Sequence, residues 1–352
     1  MSVGSLRLRT VLFVCLVTIA AWAQFPTEWL VPAKSPTTEN LRGISVVSNK
    51  VAWASGTHGT YLRTLDGGQD WEAGQVPGAE SLDFRDVEAF GPDVAYLLAA
   101  GPGEQSRIYK TVDAGKNWAL QFTNRDLRGF FDCMAFWDRN RGIAVGDPVS
   151  GDHGLNFEVI TTNDGGAHWN AVASTALPPA IDGEGAFAAS GTCVAVQGKK
   201  NVWFATGGKA ARVFRSRDGG KTWSVTETPI IHGADSSGIF SIAFRDAKHG
   251  VIAGGDYKKP EQAGANLAFT SDGGRTWKLS SVAPQAYFSD VAFYDRHGSV
   301  YATGTAMTIQ ARPGQAIRIS TANLNAIGAA AFPIAVGPKG TIMLFDPRLT
   351  LH

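Results

Sequence analysis

Cysteine, methionine and histidine are scarce in this chain, and neither charge sign dominates. The 352 residues include 3 Cys, 4 Met and 7 His, and 32 Lys and Arg stand against 31 Asp and Glu. The few cysteines exclude a small disulfide-stapled fold, and the even charge balance gives no electrostatic basis for binding nucleic acid. The histidines show no i, i+3 or i, i+4 pairing and the cysteines lack ligand spacing, so the sequence predicts neither a metal site nor a cofactor.

Long hydrophobic runs are also absent, apart from one near the N-terminus. Arg7 and Arg9 precede an apolar run over residues 11–21, and Ala21 and Ala23 supply the small residues that a signal peptidase reads. A run of about 11 residues is too short to cross a bilayer as a helix and suits a secretory signal peptide. We therefore expect residues 1–23 to be a signal peptide, and the mature chain to be exported, periplasmic or secreted, without a transmembrane span.

A repeat of eight residues occurs five times. Each copy reads Ser or Thr, any residue, Asp, Gly or Ala, Gly, two variable residues and Trp. The successive Trp residues are 47, 51, 54 and 54 residues apart, a spacing that suits a four-stranded β-propeller blade. The Asp and Trp of the five copies are Asp66 and Trp71, Asp113 and Trp118, Asp164 and Trp169, Asp218 and Trp223, and Asp272 and Trp277.

The residue types of this repeat are those of a hairpin turn. The Asp carboxylate can accept backbone N–H groups, and Gly supplies the positive φ that the turn requires. The motif S/T-x-D-x-G-x-x-W resembles the Asp box, or BNR repeat, of sialidases, sortilin-type receptors and photosystem II assembly factors. In those families the box is a structural staple on the face away from the ligand site, so the resemblance implies a structural role here.

The strand pattern predicts an all-β fold, a seven-bladed β-propeller with Asp-box hairpins. Three strand-like runs precede each box and one follows it, and a similar pattern without a box recurs twice after the fifth copy. The last copy lacks a fourth strand, which residues 27–32 resemble; this N-to-C strand closure of the last blade would remove an exposed sheet edge. The predicted blades span residues 40–77, 84–122, 130–174, 184–228, 237–282, 287–321 and 325–346.

The innermost strand of each predicted blade carries small or polar residues on one face. Aligned positions include Asp86, Cys133, Cys193 and Asp290, and the two-residue strand period turns them toward a central channel. Because inner strands of different blades usually lie too far apart for a disulfide, we predict free, sheltered thiols at both cysteines. A redox enzyme that uses this cysteine pair is a further alternative.

The predicted binding site lies on the face opposite the boxes. There the loops between the second and third strands meet the loops between blades, and they mix acids, bases and aromatics around one channel mouth. Taken singly, each of these residues also suits a solvated turn. The candidate binding residues are Arg42, His58, Asp86, Asp132, Asp147, Glu184, Lys209, Asp256, Tyr257 and Lys258.

A sialidase-like glycoside hydrolase or another carbohydrate-active enzyme is the alternative to a binding protein. A glycosidase would use paired carboxylates such as Asp132 and Asp147. The residues available for a sialidase site are Arg42, Arg85, Arg128, Arg212, Asp147, Asp256 and Tyr257. The F/Y-R-I-P motif that resembles the start of sialidase domains is absent, so we predict no catalytic residues.

Five boxes, seven predicted blades and an export signal together resemble the photosystem II stability/assembly factor family, which includes bacterial members outside photosynthetic lineages. The resemblance covers nearly all of the mature chain. It implies a non-enzymatic propeller that holds a protein or peptide client, such as a membrane-protein assembly intermediate, on the lumenal or periplasmic side. We expect such a chain to act as a monomer without a cofactor.

Overall fold

The computed structural model describes residues 28–282, 284, 286–295, 297–330, 333–346 and 348. The predicted signal peptide, residues 1–23, lies outside the described residues. Strand β1 (Leu30–Pro32) comes first in the chain. Blades 1 and 2 then contain β2 (Leu41–Val46), β3 (Ala52–Gly56), β4 (Thr60–Thr64), β5 (Glu72–Gln75), β6 (Phe84–Ala89), β7 (Ala95–Ala99), β8 (Arg107–Thr111) and β9 (Ala119–Thr123).

Blades 3 and 4 follow, with two additional very short strands: one precedes blade 4, and the other lies between its second and third strands. Their strands are β10 (Phe131–Phe136), β11 (Gly142–Gly151), β12 (Gly154–Thr162), β13 (Asn170–Ala171), β14 (Glu184–Gly185), β15 (Val194–Gln197), β16 (Asn201–Ala205), β17 (Gly207–Gly208), β18 (Arg212–Ser216) and β19 (Ser224–Glu227). The additional strands β14 and β17 pair with each other, and β17 also pairs with the first strand of blade 5.

Blades 5 to 7 complete the chain. Their strands are β20 (Ser237–Phe244), β21 (Gly250–Asp256), β22 (Leu267–Thr270), β23 (Lys278–Leu279), β24 (Asp290–Phe293), β25 (Val300–Thr303), β26 (Thr308–Arg312), β27 (Gln315–Ser320), β28 (Ala326–Ala329), β29 (Pro333–Val336) and β30 (Ile342–Phe345). Short 3₁₀ turns lie at Gly103–Gln105, Ser174–Ala176 and Pro338–Gly340.

The seven sheets form a closed ring. The innermost strands β2, β6, β10, β15, β20, β24 and β28 each contact the next, and β28 contacts β2. In blade 7, β1 pairs antiparallel with β30, with Leu30 opposite Phe345 and Pro32 opposite Met343. The all-β, seven-bladed fold and the closure of the last blade by an N-terminal strand are therefore confirmed.

The hydrophobic core is divided among the junctions between blades. Middle strands such as β3, β7 and β21 are buried along their whole length, because a neighbouring blade covers each face, whereas the outermost strands β5 and β13 are largely exposed. The buried apolar side chains form seven clusters, one between each pair of neighbouring blades. Burial of these clusters stabilises the ring.

The Asp boxes form the turns between the third and fourth strands of blades 1 to 5. In the first box the Thr64 hydroxyl donates to the Asp66 carboxylate (2.8 Å) and accepts the Gly68 N–H (2.9 Å). The N–H of Asp70 donates to the same carboxylate, and this bond is the main reason that the pKa of Asp66 lies below its ordinary value. Equivalent bonds to the Asp and Gly positions recur in the other four boxes.

Residues 186–193 lead into the first strand of blade 4 and lie across the central channel; we call this segment the plug. Arg85 of blade 2 donates to the Ala188 carbonyl (2.8 Å), and Ser190 donates to the Ser289 carbonyl at the start of blade 6 (2.9 Å). Neither blade is a neighbour of blade 4 in the ring. The plug therefore spans the channel at its mouth.

Cys133 and Cys193 form a disulfide with their Cα atoms 5.8 Å apart, so the prediction of two free thiols is wrong. That prediction took the inner strands of different blades to lie too far apart for a disulfide. Cys193 directly precedes β15 and its carbonyl accepts the Ala205 N–H of β16, so it continues the inner strand of blade 4, and at this level the inner strands of blades 3 and 4 lie close enough for the bond. The disulfide fixes the end of the plug to β10.

Other side chains that face the channel join each inner strand to a neighbouring blade. Asp86 accepts the Met134 N–H (2.6 Å), and Asp290 accepts the Ile327 N–H (2.8 Å). Ser45 and Ser241 accept the N–H groups of Ala89 and Val291 in the same way. The polar residues at aligned inner positions thus connect blades, which explains why they are polar although the site is buried.

Glu88 makes the stability of the ring depend on pH. It follows Asp86 by two residues on β6, and burial raises its pKa from 4.5 to about 7. Because the folded chain binds this proton more tightly than the unfolded chain, stability falls as the pH rises from about 4.5 through about 7. Part of the stability effect that corresponds to this pKa shift is discounted for solvent screening. On that basis Glu88→Gln is expected to raise the free energy of unfolding at pH 8 by about 2 kcal/mol.

Urea unfolding at pH 5 and pH 8 measures this effect. The matched control is Asp182→Asn, which changes an exposed carboxyl and should leave the pH profile as in the original chain. If Glu88→Gln and the original chain lose the same stability between the two pH values, the assignment to Glu88 is wrong.

Candidate functional site

The loops between second and third strands and between blades lie on the face opposite the boxes, which we call the loop face. Three large apolar side chains are exposed on it: Leu127 is 80% exposed, Tyr257 47% and Ile181 43%. The box turns also expose apolar side chains, Leu65 and Val112, so this exposure alone does not distinguish the two faces. The loop face is the candidate site because of its loop content, and Leu127, Tyr257 and Ile181 are the apolar contacts that it offers.

A β-hairpin of blade 3 forms a wall on the loop face. Strands β11 and β12 are the longest described, and their pairing continues past a bulge at residues 146–148 to Gly151 opposite Gly154. Arg128 donates to the Ser150 carbonyl on one side of the hairpin (3.0 Å). On the other side the Ala180 N–H donates to the Leu155 carbonyl (2.8 Å). The loops that hold the hairpin carry the exposed Leu127 and Ile181.

Three carboxylates belong to blade 3 near this hairpin: Asp147 and Glu158 are on its two strands, and Asp132 is on β10. Asp147 accepts the Ala186 N–H (2.9 Å), and burial raises its pKa to about 6. Burial, and then the Asp147 charge, hold the pKa of Asp132 well above its ordinary value. Burial, and then the Asp126 charge, raise the pKa of Glu158 to about 7.

The same carboxylates are poorly compensated by the chain itself. Asp132 is 2% exposed, and its Oδ2 atom is buried without a hydrogen-bond partner. Each carboxylate would be stabilised in its ionised form by a nearby cation. The cluster therefore suits a basic side chain of a partner.

Aromatic rings line the opposite side of the mouth. Phe187 of the plug stacks on Phe240 with ring centroids 3.9 Å apart, and Tyr287 meets Phe240 edge-on at 4.8 Å. Tyr257 lies edge-on to Phe240 at 6.2 Å and presents its other side to solvent. Rigid aromatic side chains of this kind provide large contact area at low entropic cost.

An arginine pair borders the mouth at blades 1 and 2. The guanidinium groups of Arg42 and Arg85 both contact the Asp83 carboxylate, at 3.2 Å and 3.0 Å. Arg85 also holds the plug through the Ala188 carbonyl. The charge of Arg85 opposes the rise in the pKa of Asp132, so this group reaches toward the carboxylate cluster.

Two of the candidate binding residues instead have structural roles. Glu184 is buried in a two-pronged ion pair with Arg212 and also accepts the Thr206 hydroxyl (2.6 Å). Asp86 is 5% exposed, and its carboxylate is occupied by the Met134 N–H. Neither carboxylate is available to a ligand, because a buried and fully bonded acid is costly to release.

The remaining candidates lie around the mouth with partners of their own. His58 contacts Glu39 (2.7 Å), and this bond raises the pKa of His58. Lys209 donates to the Gly233 carbonyl (3.3 Å). Asp256, 8% exposed, accepts the Lys258 N–H (3.0 Å) and so shapes its own loop.

Sequence reasoning missed several residues of this surface. Leu127, Glu158, Ile181, Tyr287 and the plug were not selected, because nothing local distinguishes them from core or turn residues. The one available signal was the run of small residues at 188–192, which permits a close approach of backbones. No group of three His, Cys, Asp or Glu side chains that could hold a metal ion occurs within the described residues.

Comparison with known proteins identifies several that are similar to this chain. The BNR/Asp-box repeat matches residues 214–225, which include the fourth box. The photosystem II assembly lipoprotein Ycf48 of Synechococcus sp. (strain CC9902) is 26% identical over 280 residues, which are 75% of this chain and 70% of that protein. The sequence is homologous to Ycf48.

Solved Ycf48 structures share the fold. A YCF48 structure bound to a D1 peptide has a TM-score of 0.63 at 15% identity and covers 90% of this chain and 95% of its own. YCF48 from Cyanidioschyzon merolae has a TM-score of 0.61 at 20% identity and covers 91% and 99%. Among the described residues, no helix is long and apolar enough to cross a membrane.

Proposed function

We propose that this chain is an exported, non-enzymatic propeller that binds an extended segment of a client protein across its loop face. The observation that carries the proposal is the exposed apolar set of Leu127, Ile181 and Tyr257 around a mouth that the plug closes. Because the plug closes the channel, the loop face is an open surface and not the entrance of a pore. An open surface of this kind can bind an extended polypeptide. The similarity to a YCF48 structure that holds a D1 peptide supports a peptide as the kind of partner.

The chemistry of the site indicates which segment fits. Apolar side chains of the client would lie on Leu127 and Tyr257, and a basic side chain would reach Asp147 and Glu158. Ionisation of these two carboxyls is disfavoured by burial in the free protein, and a cation beside them would reverse that effect. A basic residue flanked by apolar ones is the expected pattern.

Export and the nature of the client are parts of the same proposal. The signal-like residues 1–23 support export, and a disulfide suits the oxidising compartment to which export leads. The similarity to an assembly factor supports a membrane-protein assembly intermediate as the client. The propeller would act on it as a monomer.

The arrangement of the arginines supports binding rather than sialidase-like hydrolysis. Arg42 and Arg85 contact Asp83, Arg128 contacts Asp126, and Arg212 contacts Glu184. An arginine cluster that binds a substrate carboxylate has to be open to it, and each of these groups already contacts a carboxylate of the chain. Hydrolysis across a panel of aryl glycosides, lost on Asp147→Asn, would overturn the proposal.

Binding to an array of peptides from the exported segments of host membrane proteins tests the site. The double variant Leu127→Asp, Tyr257→Ala is expected to weaken binding by more than about tenfold, because burial of even one large apolar side chain contributes on the order of 1.5–3 kcal/mol. Binding should strengthen from pH 5.5 to pH 8 as Asp147 and Glu158 ionise, since the ionised forms attract the basic residue.

The matched control is Val112→Asp, which makes the same kind of change at an exposed residue on the box face (64% exposed). It should leave peptide binding unchanged. Equal binding by the double variant and the control would remove the loop face as the site.

A further inference from the structure

In five of the seven grooves between blades on the box face, a box tryptophan packs against the apolar cluster of that groove. Each Trp packs against the blade that precedes its own. Trp118 meets Trp53 of blade 1 edge-on at 6.3 Å, and Trp71 belongs to the same buried cluster as Ile334 of blade 7. The box tryptophans therefore cover the apolar clusters between blades.

In two of these grooves the indole rests on a phenylalanine that ends the innermost strand. Trp169 meets Phe136 at 5.9 Å and 86°, and Trp277 meets Phe244 at 6.0 Å and 78°. The two phenylalanines also stack on an aromatic residue of the preceding blade, at 4.2 Å for Tyr96 (Phe136) and 3.7 Å for Trp203 (Phe244). A phenylalanine at this position thus marks a binding surface for an indole.

The groove between blades 5 and 6, which we call groove 5/6, keeps the phenylalanine and lacks the indole. Phe293 ends β24 as Phe136 ends β10, but the turn between β26 and β27 is only Pro313-Gly314, with no box. The residue of blade 5 that corresponds to Trp203 is Val251, which lies opposite Ala243 as Trp203 lies opposite Ala195. Within the described residues Phe293 stacks on no aromatic ring, although Phe269 packs against the same apolar cluster.

Groove 5/6 contains an open cavity, which differs from the cavities at two boxed grooves in its lining rather than in its volume. It has a volume of about 400 Å³ and is walled by Phe269, Phe293, Leu279 and the turn at Gly314. The other groove without a box, between blades 6 and 7, differs because Tyr301 is 3% exposed and packs on Tyr294 at 4.8 Å. Groove 5/6 therefore lacks the aromatic filling that the other grooves have.

The rim of groove 5/6 is basic. Arg245, His249, Lys278 and His297 line the cavity, and its described lining contains no Asp or Glu. Asp246 lies behind this rim, 3.4 Å from Arg245 and 2.8 Å from His249. Lys278 forms no ion pair within the described residues. The cavities at two boxed grooves differ, since Asp66 and Asp218 lie in their walls.

We infer that groove 5/6 binds a tryptophan side chain of a partner segment that carries carboxylates beside the tryptophan. The indole would lie on Phe293 as Trp277 lies on Phe244, and a carboxylate beside it would meet Lys278 at the rim. This site is on the face opposite the proposed client surface and is independent of it. The propeller would thereby hold a second partner, or a second segment of the same one.

A short peptide probe tests the inference with the full chain. The probe is acetyl-Asp-Trp-Glu-amide, and its control is acetyl-Asp-Ala-Glu-amide; binding is measured by calorimetry and by chemical shifts in isotope-labelled protein. The Trp peptide is expected to bind at least about tenfold more tightly than the Ala peptide, because only it fills the cavity. Lys278→Glu should weaken its binding about fivefold, whereas Lys116→Glu, at an exposed position on the same face, should not.

A graft supplies the indole from within the chain. Pro313-Gly314 is replaced by the blade 5 sequence Thr-Ser-Asp-Gly-Gly-Arg-Thr-Trp, which spans the same strand positions because Phe269 pairs with Lys278 as Arg312 pairs with Gln315. The graft should abolish peptide binding, and the same graft with Ala in place of its Trp should restore it. If the graft does not fold, Leu279→Arg at the rim is the second variant that blocks the cavity. It should also abolish binding. Equal binding of the two peptides, or Trp-peptide binding that survives the graft or Leu279→Arg, would overturn the inference.

Discussion

Replacing both cysteines by serine is expected to lower the free energy of unfolding by about 4 kcal/mol, as the loop-closure relation gives for a long loop. The disulfide joins residues 60 positions apart, Cys133 in blade 3 and Cys193 at the end of the plug. Without it the unfolded chain gains the freedom of that loop. Urea unfolding of Cys133→Ser, Cys193→Ser against the original chain measures the loss.

Reduction provides the control for this prediction. The original chain with dithiothreitol should approach the stability of the double variant, and the double variant should not respond to dithiothreitol at all. A double variant as stable as the oxidised chain would mean that packing alone holds the plug. Peptide binding should weaken together with stability, because Phe187 in the plug supports Phe240 and, through it, Tyr257.

The parts of the fold that were predictable are those encoded locally and repeatedly. Each Asp box closes its bonds within eight residues, as Thr64, Asp66, Gly68 and Trp71 show. Such a unit forms wherever its residues occur, so its sequence reveals its structure. Five copies at blade spacing then determine the ring and its direction, and with them the face that carries the remaining loops.

The plug could not be predicted in this way, because it depends on contacts between distant segments. Cys193 aligned with inner-strand residues by sequence, yet the chain before it joins Arg85 and Ser289 across the channel. Only the closed ring brings these groups together. The wrong prediction for the cysteines followed from overestimating the distance between the inner strands of adjacent blades, which place the two Cα atoms 5.8 Å apart.

The candidate site was predictable as a face but not residue by residue. Asp147 and Tyr257 lie at the mouth, whereas Glu184 and Asp86 point to buried partners. A sequence gives the type of a side chain, but it does not show whether the polar atoms of that side chain are already bonded to a neighbouring residue. Leu127 and Ile181 were missed for the converse reason, since apolar residues are ordinarily assigned to the core.

Asp290 shows how much of the ring depends on single polar groups at the channel. Its carboxylate accepts the Thr192 hydroxyl of the plug (2.7 Å), the Ser241 hydroxyl of blade 5 (3.0 Å) and the Ile327 N–H of blade 7 (2.8 Å). The side chain thus connects three segments to blade 6 at a site that is 1% exposed. Asp290→Ala is expected to lower the free energy of unfolding by about 3 kcal/mol, because it leaves buried donors without an acceptor.

Thermal and urea unfolding measure this loss, and Asp182→Ala, at an exposed loop position, is the matched control with no expected change. Asp290→Asn separates geometry from size: its carbonyl can still accept the two hydroxyls, but its NH₂ group would face the Ile327 N–H, so it should recover less than half of the loss. Full recovery by Asn would mean that the cavity, and not the unpaired N–H, causes the effect. An Asp290→Ala chain as stable as the control would contradict the role of this carboxylate, because the contacts among Thr192, Ser241 and Val291 would then suffice to hold the plug and the neighbouring blades together.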